Sequence, residues 1–412
     1  MYRDRSIEDY IKVIGRREIE EITEIAKDLE GIRVVHINAT AYGGGVAEIL
    51  SSLVPLMNSV GLRVKWSVIR GDERFFKITK SIHNALQGNK SIKLSRDDMK
   101  YYVEVASKNS DLIDENYDVV VIHDPQPLPL VRYRGSNHWL WRCHIDLSDP
   151  NEEVWKVISG FVNKFDAAIF THEKYVPRDL RVSRVYIKWP AIDPLTDKNR
   201  DLSEDVINEV LIKFDVDPER PLIGQVSRFD PWKNTLGVID TYRLVKKYCP
   251  EVQLAIIGSF AHDDPEGEEW YRKTLNYAGS DRDIHILTNK DGVGSLEVNA
   301  FQRAFNVALQ LSIREGFGLA VTEALWKGTP VVATAVGGIP LQVINGFNGY
   351  LVGSASEAAA KVIKLLRRPW LAKVLGINGR EHVRRNFLIT RLLKDYLLII
   401  KELISQTQGS SS

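Results

Sequence analysis

Two cations and two carboxylates are spaced as a phosphate-handling site would need them. Arg228 and Lys233 stand in Ser227-Arg228-Phe229-Asp230-Pro231-Trp232-Lys233-Asn234, with four residues between them. A guanidinium and an ammonium converging from one turn bind a diphosphate and stabilise the charge it gathers as a leaving group. Glu315 and Glu323 have seven residues between them and flank Gly316-Phe317-Gly318-Leu319. Gly316 and Gly318 let the backbone come close to a ligand, and the N–H groups of a first helical turn favour an anion. Along such a helix Glu323 falls about two turns beyond Glu315, so one carboxylate can reach a bound sugar and the other a ribose. Each feature also has a bland account. A glutamate near a helix start is favourable for dipole reasons alone, a Gly-x-Gly pair is often a turn, and exposed basic side chains are commonly just solvated. The combination is what carries weight.

The elements that hold these groups follow from apolar spacing. Residues 306–312 suit a short buried strand and 319–327 have helical composition, so a strand delivers a carboxylate, then glycines, then a helix. Further strands are expected at 222–226, 252–257, 284–287, 330–333 and 349–352, with helical patterns at 234–248 and 295–304. This alternation is that of a Rossmann-like unit. At the exit of strand 284–287, Leu287-Thr288-Asn289 is the candidate wall against a nucleotide base, with Asn289 the contact. Asp215-Val216-Asp217 and Asp281-Arg282-Asp283 have a spacing used elsewhere for a metal-bound nucleotide, yet neither follows a convincing buried strand and both read as surface. The acids of Ala261-His262-Asp263-Asp264-Pro265-Glu266-Gly267 read as a helix cap or as solvated.

The first half alternates in the same way. A strand at 32–37 runs through a loop to Gly43-Gly44-Gly45 and a helical pattern at 46–60. Three glycines make a tight connection at least as readily as they line a diphosphate or sugar, so Gly44 and Gly45 gain weight only in company. Strands follow at 63–69, 118–123, 139–144 and 167–171. Open parallel sheets bind ligands beyond the carboxyl ends of their strands, and two exits there are chemically rich. His123-Asp124-Pro125-Gln126-Pro127 offers His123, Asp124 and Gln126, and Cys143-His144-Ile145-Asp146 offers His144 and Asp146. A lone histidine is usually packed or capping, but a strand exit raises the claim of His144. The loop-like text around 189–200 places a domain boundary near residue 195, and 357–367 and 370–404 are helical in composition.

At 412 residues the chain fits two domains of ordinary size. Net charge is +1, from 55 Lys and Arg against 54 Asp and Glu, which excludes the basic footprint of a nucleic-acid binder. No apolar run has signal-peptide or membrane-spanning length, so the expected location is the cytoplasm with no membrane partner. The two cysteines, Cys143 and Cys249, lack metal-like spacing and are expected to be buried thiols.

The run Glu315-Gly316-Phe317-Gly318-Leu319 with Glu323, followed by Lys327-Gly328-Thr329-Pro330 and Gly337-Gly338-Ile339-Pro340, resembles the donor-site signature of retaining glycosyltransferases of family 4. Arg228 and Lys233 match that family's cation spacing. Gly43 to Glu48, Trp141 to Leu147, Val226 to Lys233, Ala261 to Gly267 and Ser312 to Gly318 narrow the likeness to its trehalose synthase type, over nearly the whole chain.

The resemblance implies an α/β GT-B fold, two Rossmann-like doubly wound domains facing each other across a cleft. Residues 1–195 would bind the acceptor, residues 196–385 would bind the donor, and a final helix, about 386–412, would pack back on the first domain. It implies transfer of glucose, with retention, from a nucleoside diphosphate glucose to free glucose, giving trehalose. No metal and no cofactor would be required. The implied catalytic set is Glu315, Arg228, Lys233 and His144. The donor would meet Gly44, Gly45, Arg228, Lys233, Asn289, Glu315, Gly316, Phe317, Gly318, Leu319 and Glu323, with Glu323 on the ribose and His144 beside the donor sugar. The acceptor would meet His123, Asp124, Gln126 and Asp146. A trehalose phosphorylase, with phosphate in place of the nucleotide, is the alternative enzyme, another family 4 acceptor is a further one, and an idle sugar-nucleotide-binding module is a third reading. A homodimer and the choice among ADP, UDP and GDP stay open.

Overall fold

Near-continuous apolar runs such as Val119-Val120-Val121-Ile122 need cover on both faces, which a parallel sheet with crossover helices provides. In this computed structural model, which describes residues 5–42, 44–113, 116–259 and 265–409, two such sheets form. The chain divides into two units, Met1–Ala191 with Ile389–Ser412, and Ile192–Leu388. Gly43 and the stretch Ala261, His262, Asp263 and Asp264 lie outside the described residues.

In the first unit the strands are β1 (Arg33–Asn38), β2 (Arg63–Val68), β3 (Val119–His123), β4 (His138–Arg142), β5 (Ala167–Phe170) and β6 (Arg184–Ile187). They run parallel in the order β2-β1-β3-β4-β5-β6. The order reverses between β1 and β3, and there the connections leave to opposite sides and open a crevice at the carboxyl ends. Trp139, Trp141, Phe75, Tyr102 and Phe170 fill the core beside the sheet. β6 is not foreseen from the sequence: it is a half-exposed edge strand, and its Tyr186 hydroxyl donates to Glu402 (2.9 Å) on the last helix. That helix, Ile389–Gly409, packs in the first unit on the helix Gly45–Ser59, with Leu393, Leu397 and Ile400 buried. Lys188 reaches its Asp395 at 2.7 Å. The helical stretch 370–404 divides into two helices, Pro369–Asn386 and Ile389–Gly409, and the final helix, implied to start at about 386, begins at Ile389. The break has a cause: Phe387 and Leu388 are fully buried, and the Phe387 carbonyl accepts a bond from the Ile192 N–H (2.9 Å) instead of continuing the helix.

In the second unit β7 (Leu222–Arg228), β8 (Gln253–Ser259), β9 (Ile284–Thr288), β10 (Val307–Gln310), β11 (Val331–Thr334) and β12 (Gly349–Val352) run parallel in the order β12-β11-β10-β7-β8-β9. This is the Rossmann order, and its reversal falls between β7 and β10. Those two strands end in the loops that carry Arg228, Lys233 and Glu315.

Gly224, in the middle of β7, is required by packing. A Cβ there would stand 2.3 Å from Phe305 Cζ and 2.6 Å from the Ala255 carbonyl oxygen of β8. The ring can shift but the backbone oxygen cannot without breaking the ladder. Gly224→Ala is expected to destabilise the protein by about 1–3 kcal/mol, measured by urea unfolding, and an unchanged midpoint would refute this account of the strand.

Candidate active site

The second unit's switch point is built from two loops stitched to each other. After β7, the short 3-10 turn Pro231–Lys233 is capped by Asp230, whose carboxylate accepts the Trp232 N–H (2.9 Å). Asn234 follows at φ 53°, a left-handed value asparagine tolerates. Its side chain donates to the Leu311 carbonyl (3.1 Å) of the other loop. The Ile313 N–H donates back to the Trp232 carbonyl (2.7 Å), and the Arg314 guanidinium lies 5.3 Å from the centre of the Trp232 ring. Held this way, Lys233 Nζ meets Glu315 Oε2 at 2.6 Å, with the two side chains 15% and 10% exposed. The same oxygen is approached by Ser312 Oγ (3.3 Å) and Gln310 Nε2 (3.4 Å), and Gln310 donates to Ser312 Oγ (2.8 Å). Glu315 is therefore a fixed, ion-paired carboxylate.

Beyond it the chain turns through Gly316 and Gly318 into the helix Leu319–Trp326. Gly318 has φ 83°, and a Cβ on it would meet Glu315 Cγ at 3.1 Å, so glycine is demanded twice. No side chain caps this helix, which leaves the positive end of its dipole toward the loop. Phe317 turns inward, 5.6 Å from the Phe387 ring, and the Gly316 carbonyl accepts from the Gly338 N–H (3.0 Å).

Arg228 takes a different place from Lys233. Its guanidinium is largely exposed and lies 3.6 Å from Asp230, with no bond to Glu315. Burial holds the Asp230 carboxyl above its ordinary range, opposed by Lys233 and Arg228 and reinforced by Glu315. Glu323 lies inside the fold at 1% exposure, with Lys198 Nζ at 2.9 Å from Oε1 and Gln302 Nε2 at 3.4 Å from Oε2. Asn289 is exposed at the end of β9, two strands from the switch point, while Thr288 is buried in a capping box with Asp291. Asp281 and Asp283 are engaged by Lys246 (2.8 and 2.9 Å).

At the first unit's switch point, Gly44 has φ 99° and precedes the helix that starts at Gly45. His123, expected to meet the acceptor, is 1% exposed and lies between two other imidazoles, His36 Nδ1 at 3.0 Å and His144 Nε2 at 3.1 Å. Burial pushes all three down: His36 to about 3, His123 and His144 well below the ordinary histidine value. Asp124 stands at φ 58°, accepting the His144 N–H (2.7 Å), while Trp141 Nε1 donates to its carbonyl (3.1 Å). Burial pushes its carboxyl up to about 7, against the His144 N–H and Arg142. Gln126 is half-buried in the following turn, and Asp146 accepts the Ser148 N–H (2.9 Å). Cys143 is buried and Cys249 partly so. Sequence reasoning missed Lys198, Gln310, Ser312 and His36. For Gln310 and His36 the signal is a polar residue next to apolar ones in a central strand.

The chain matches a family model described as trehalose synthase, N-terminal domain, over residues 36–177, and a second described as glycosyl transferases group 1 over residues 207–382. The solved sucrose-phosphate synthase from Thermosynechococcus elongatus superposes with a TM-score of 0.71 at 18% identity, covering 91% of this chain and 100% of that one. With two six-stranded parallel sheets of this order, the fold is that of a GT-B glycosyltransferase. The trehalose synthase of Thermococcus litoralis is 52% identical over 95% of this chain and 96% of its own length, and that of Rubrobacter xylanophilus is 47% identical over 97% of each. The chain belongs to the trehalose synthase family. Among the described residues no helix is long and apolar enough to cross a membrane.

Two outcomes test the electrostatics. Lys198→Met leaves a buried carboxylate at Glu323 without its cation and is expected to cost about 3 kcal/mol in chemical unfolding; a loss under a few tenths would mean the pair is idle. For Asp124 the folded pKa lies above the unfolded one, so its protonation stabilises the fold, fully below pH 4 and progressively less as pH rises through about 7. Asp124→Asn should therefore be more stable than the parent at pH 8 by about 2–4 kcal/mol, with the gap closing toward pH 4.5. A gap independent of pH would remove the shifted carboxyl.

Proposed function

We propose that this protein transfers glucose from a nucleoside diphosphate glucose to free glucose and makes trehalose with retention at the anomeric carbon. The observation that carries the reading is the Lys233–Glu315 pair at the mouth of an uncapped helix, on the strand-order reversal of the second unit. As the glycosidic bond lengthens, negative charge gathers on the diphosphate and positive charge on the sugar ring. Lys233, Arg228 and the N–H groups of the first helical turn stabilise the former without reorganising. Arg228, being exposed, would close on the diphosphate when it binds. Glu315 would face the sugar, and because Lys233, Ser312 and Gln310 already converge on one of its oxygens, its part is electrostatic and orienting. A double displacement would need an unencumbered carboxylate beneath the anomeric carbon. The engaged state of Glu315 favours transfer on one face, with a phosphate oxygen taking the acceptor's proton. Glu323 would reach the ribose only once the side chains over it, Lys198 among them, give way. Neutralisation by fixed cations leaves no step that calls for a metal or a cofactor.

The full-length likeness to proteins named trehalose synthase supports trehalose as product. The test is incubation of the purified protein with glucose and ADP-, UDP- or GDP-glucose in turn, following nucleoside diphosphate release and the anomeric proton signals of the disaccharide. An α,α-linked product from an α-linked donor is expected, with kcat falling roughly 10²- to 10³-fold in Lys233→Ala. Sugar release that depends on inorganic phosphate would instead establish a phosphorylase, and no release with any donor would leave a binding module.

A further inference from the structure

Three imidazoles stand in file through the first unit. His36 lies within β1, His123 ends β3 and His144 follows β4. His36 Nδ1 is 3.0 Å from His123 Nε2, and His123 Nδ1 is 3.1 Å from His144 Nε2. The ring centres are 5.3 and 5.4 Å apart. A contact between two ring nitrogens is a hydrogen bond only when one carries a proton and the other does not. In a neutral file of three, that rule leaves two states: every ring protonated on Nδ1, or every ring protonated on Nε2.

The inner end decides between them. His36 is fully buried and its Nε2 has no hydrogen-bond partner among the described residues. Protonated on Nε2, the file would seal an N–H donor in the core with nothing to receive it. Protonated on Nδ1, it leaves only an unused lone pair there, the lesser penalty. At the outer end the pattern is complementary: His144 is partly exposed, and its Nδ1 has no partner among the described residues yet is not among the sealed atoms. Outside the file, the Tyr396 ring stands edge-on to His36 at 5.4 Å, and Arg142 is a buried cation of the neighbourhood. With burial holding all three imidazoles neutral, the file keeps one direction through the physiological range.

We propose that His36 and His123 are positioning residues that lock His144 into the Nδ1–H tautomer, so that its open face is a fixed hydrogen-bond donor to a sugar oxygen. The sugar as recipient rests on the proposed function, whereas the tautomer does not. A ring protonated on its open nitrogen has no lone pair there to take a proton, so His144 acts as a donor and not as a general base.

The test is 15N NMR of histidine-labelled protein without ligand, in which bare and protonated ring nitrogens resonate far apart. The expected result is a proton on Nδ1 and a bare Nε2 for His144 at pH 7.5, unchanged at pH 6. In His36→Leu the His144 signals should move to a mixture of tautomers, while His36→Asn, whose amide can donate to His123, restores them. In the transfer assay His36→Leu should lower kcat/KM about tenfold, the worth of one misdirected hydrogen bond, with the thermal midpoint retained and His36→Asn recovering the rate. A proton on Nε2 of His144, or a tautomer indifferent to His36→Leu, overturns the lock. If His36→Leu fails to fold, the parent spectrum still decides. Should the parent transfer no glucose while showing the Nδ1–H signature, the function falls and the lock stands.

Discussion

A carboxylate one-tenth exposed is costly to desolvate unless a cation stands against it, and the second unit is arranged around meeting that condition for Glu315. The partner, Lys233, comes from the other strand of the reversal. β7 and β10 are neighbours whose following helices depart to opposite sides, so their loops separate and then approach again over the carboxyl edge. The left-handed Asn234, the Ile313–Trp232 backbone bond and the left-handed Gly318 all hold the two loops at the separation the ion pair needs. Without the cation the burial of Glu315 would be uncompensated, and the loop would lose the contact that ties it to the one after β7.

The first unit solves the opposite problem, placing uncharged polar groups inside an apolar sheet. His36 is flanked by Val35 and Ile37 in β1 and His123 follows three valines and Ile122 in β3, where an unpaired imidazole would be heavily penalised. They pair with each other and with His144, and Asp124 and Trp141 fix the turn that aims the last ring. Arg142 remains buried with Thr171 at 3.4 Å and one terminal nitrogen unpaired among the described residues. The inner part of this neighbourhood is thus buried and rich in oriented dipoles, the setting in which one hydrogen bond counts most.

Most of the alternation was legible because buried parallel strands announce themselves as short apolar runs. β1 and β3 were visible for that reason, and so was the coupling of Arg228, Lys233, Glu315 and the glycines to strand exits. The edge strand β6 was not, since Arg184-Val185-Tyr186-Ile187 is half-exposed and its polar residues are satisfied by a helix two hundred residues later. The helix break at Phe387-Leu388 leaves no mark in composition, since both residues are apolar and helix-compatible and a tertiary bond to Ile192 draws them out; only the family resemblance put the start of a final helix near 386. The exit pattern could say that His123 ends a strand but not which way its ring turns. Side-chain direction at a strand end depends on which strand lies alongside, and the order β1-β3-β4 is a property of the whole sheet.

Glu315 and Glu323 show how far spacing can be trusted. Seven intervening residues place both on one loop-and-helix element, and the chemistry of a carboxylate is the same in each. What separates them is their neighbours. Glu315 stands before the helix, where Lys233 arrives from β7 and the N-terminal dipole is close. Glu323 lies within the helix Leu319–Trp326 on a face sealed by Lys198 and Gln302. A single sequence element therefore supplies one carboxylate at the start of a helix and one held in the interior. The second is matched by the Lys198 ammonium 2.9 Å away, so no other group can take that place beside Glu323 unless the lysine moves first.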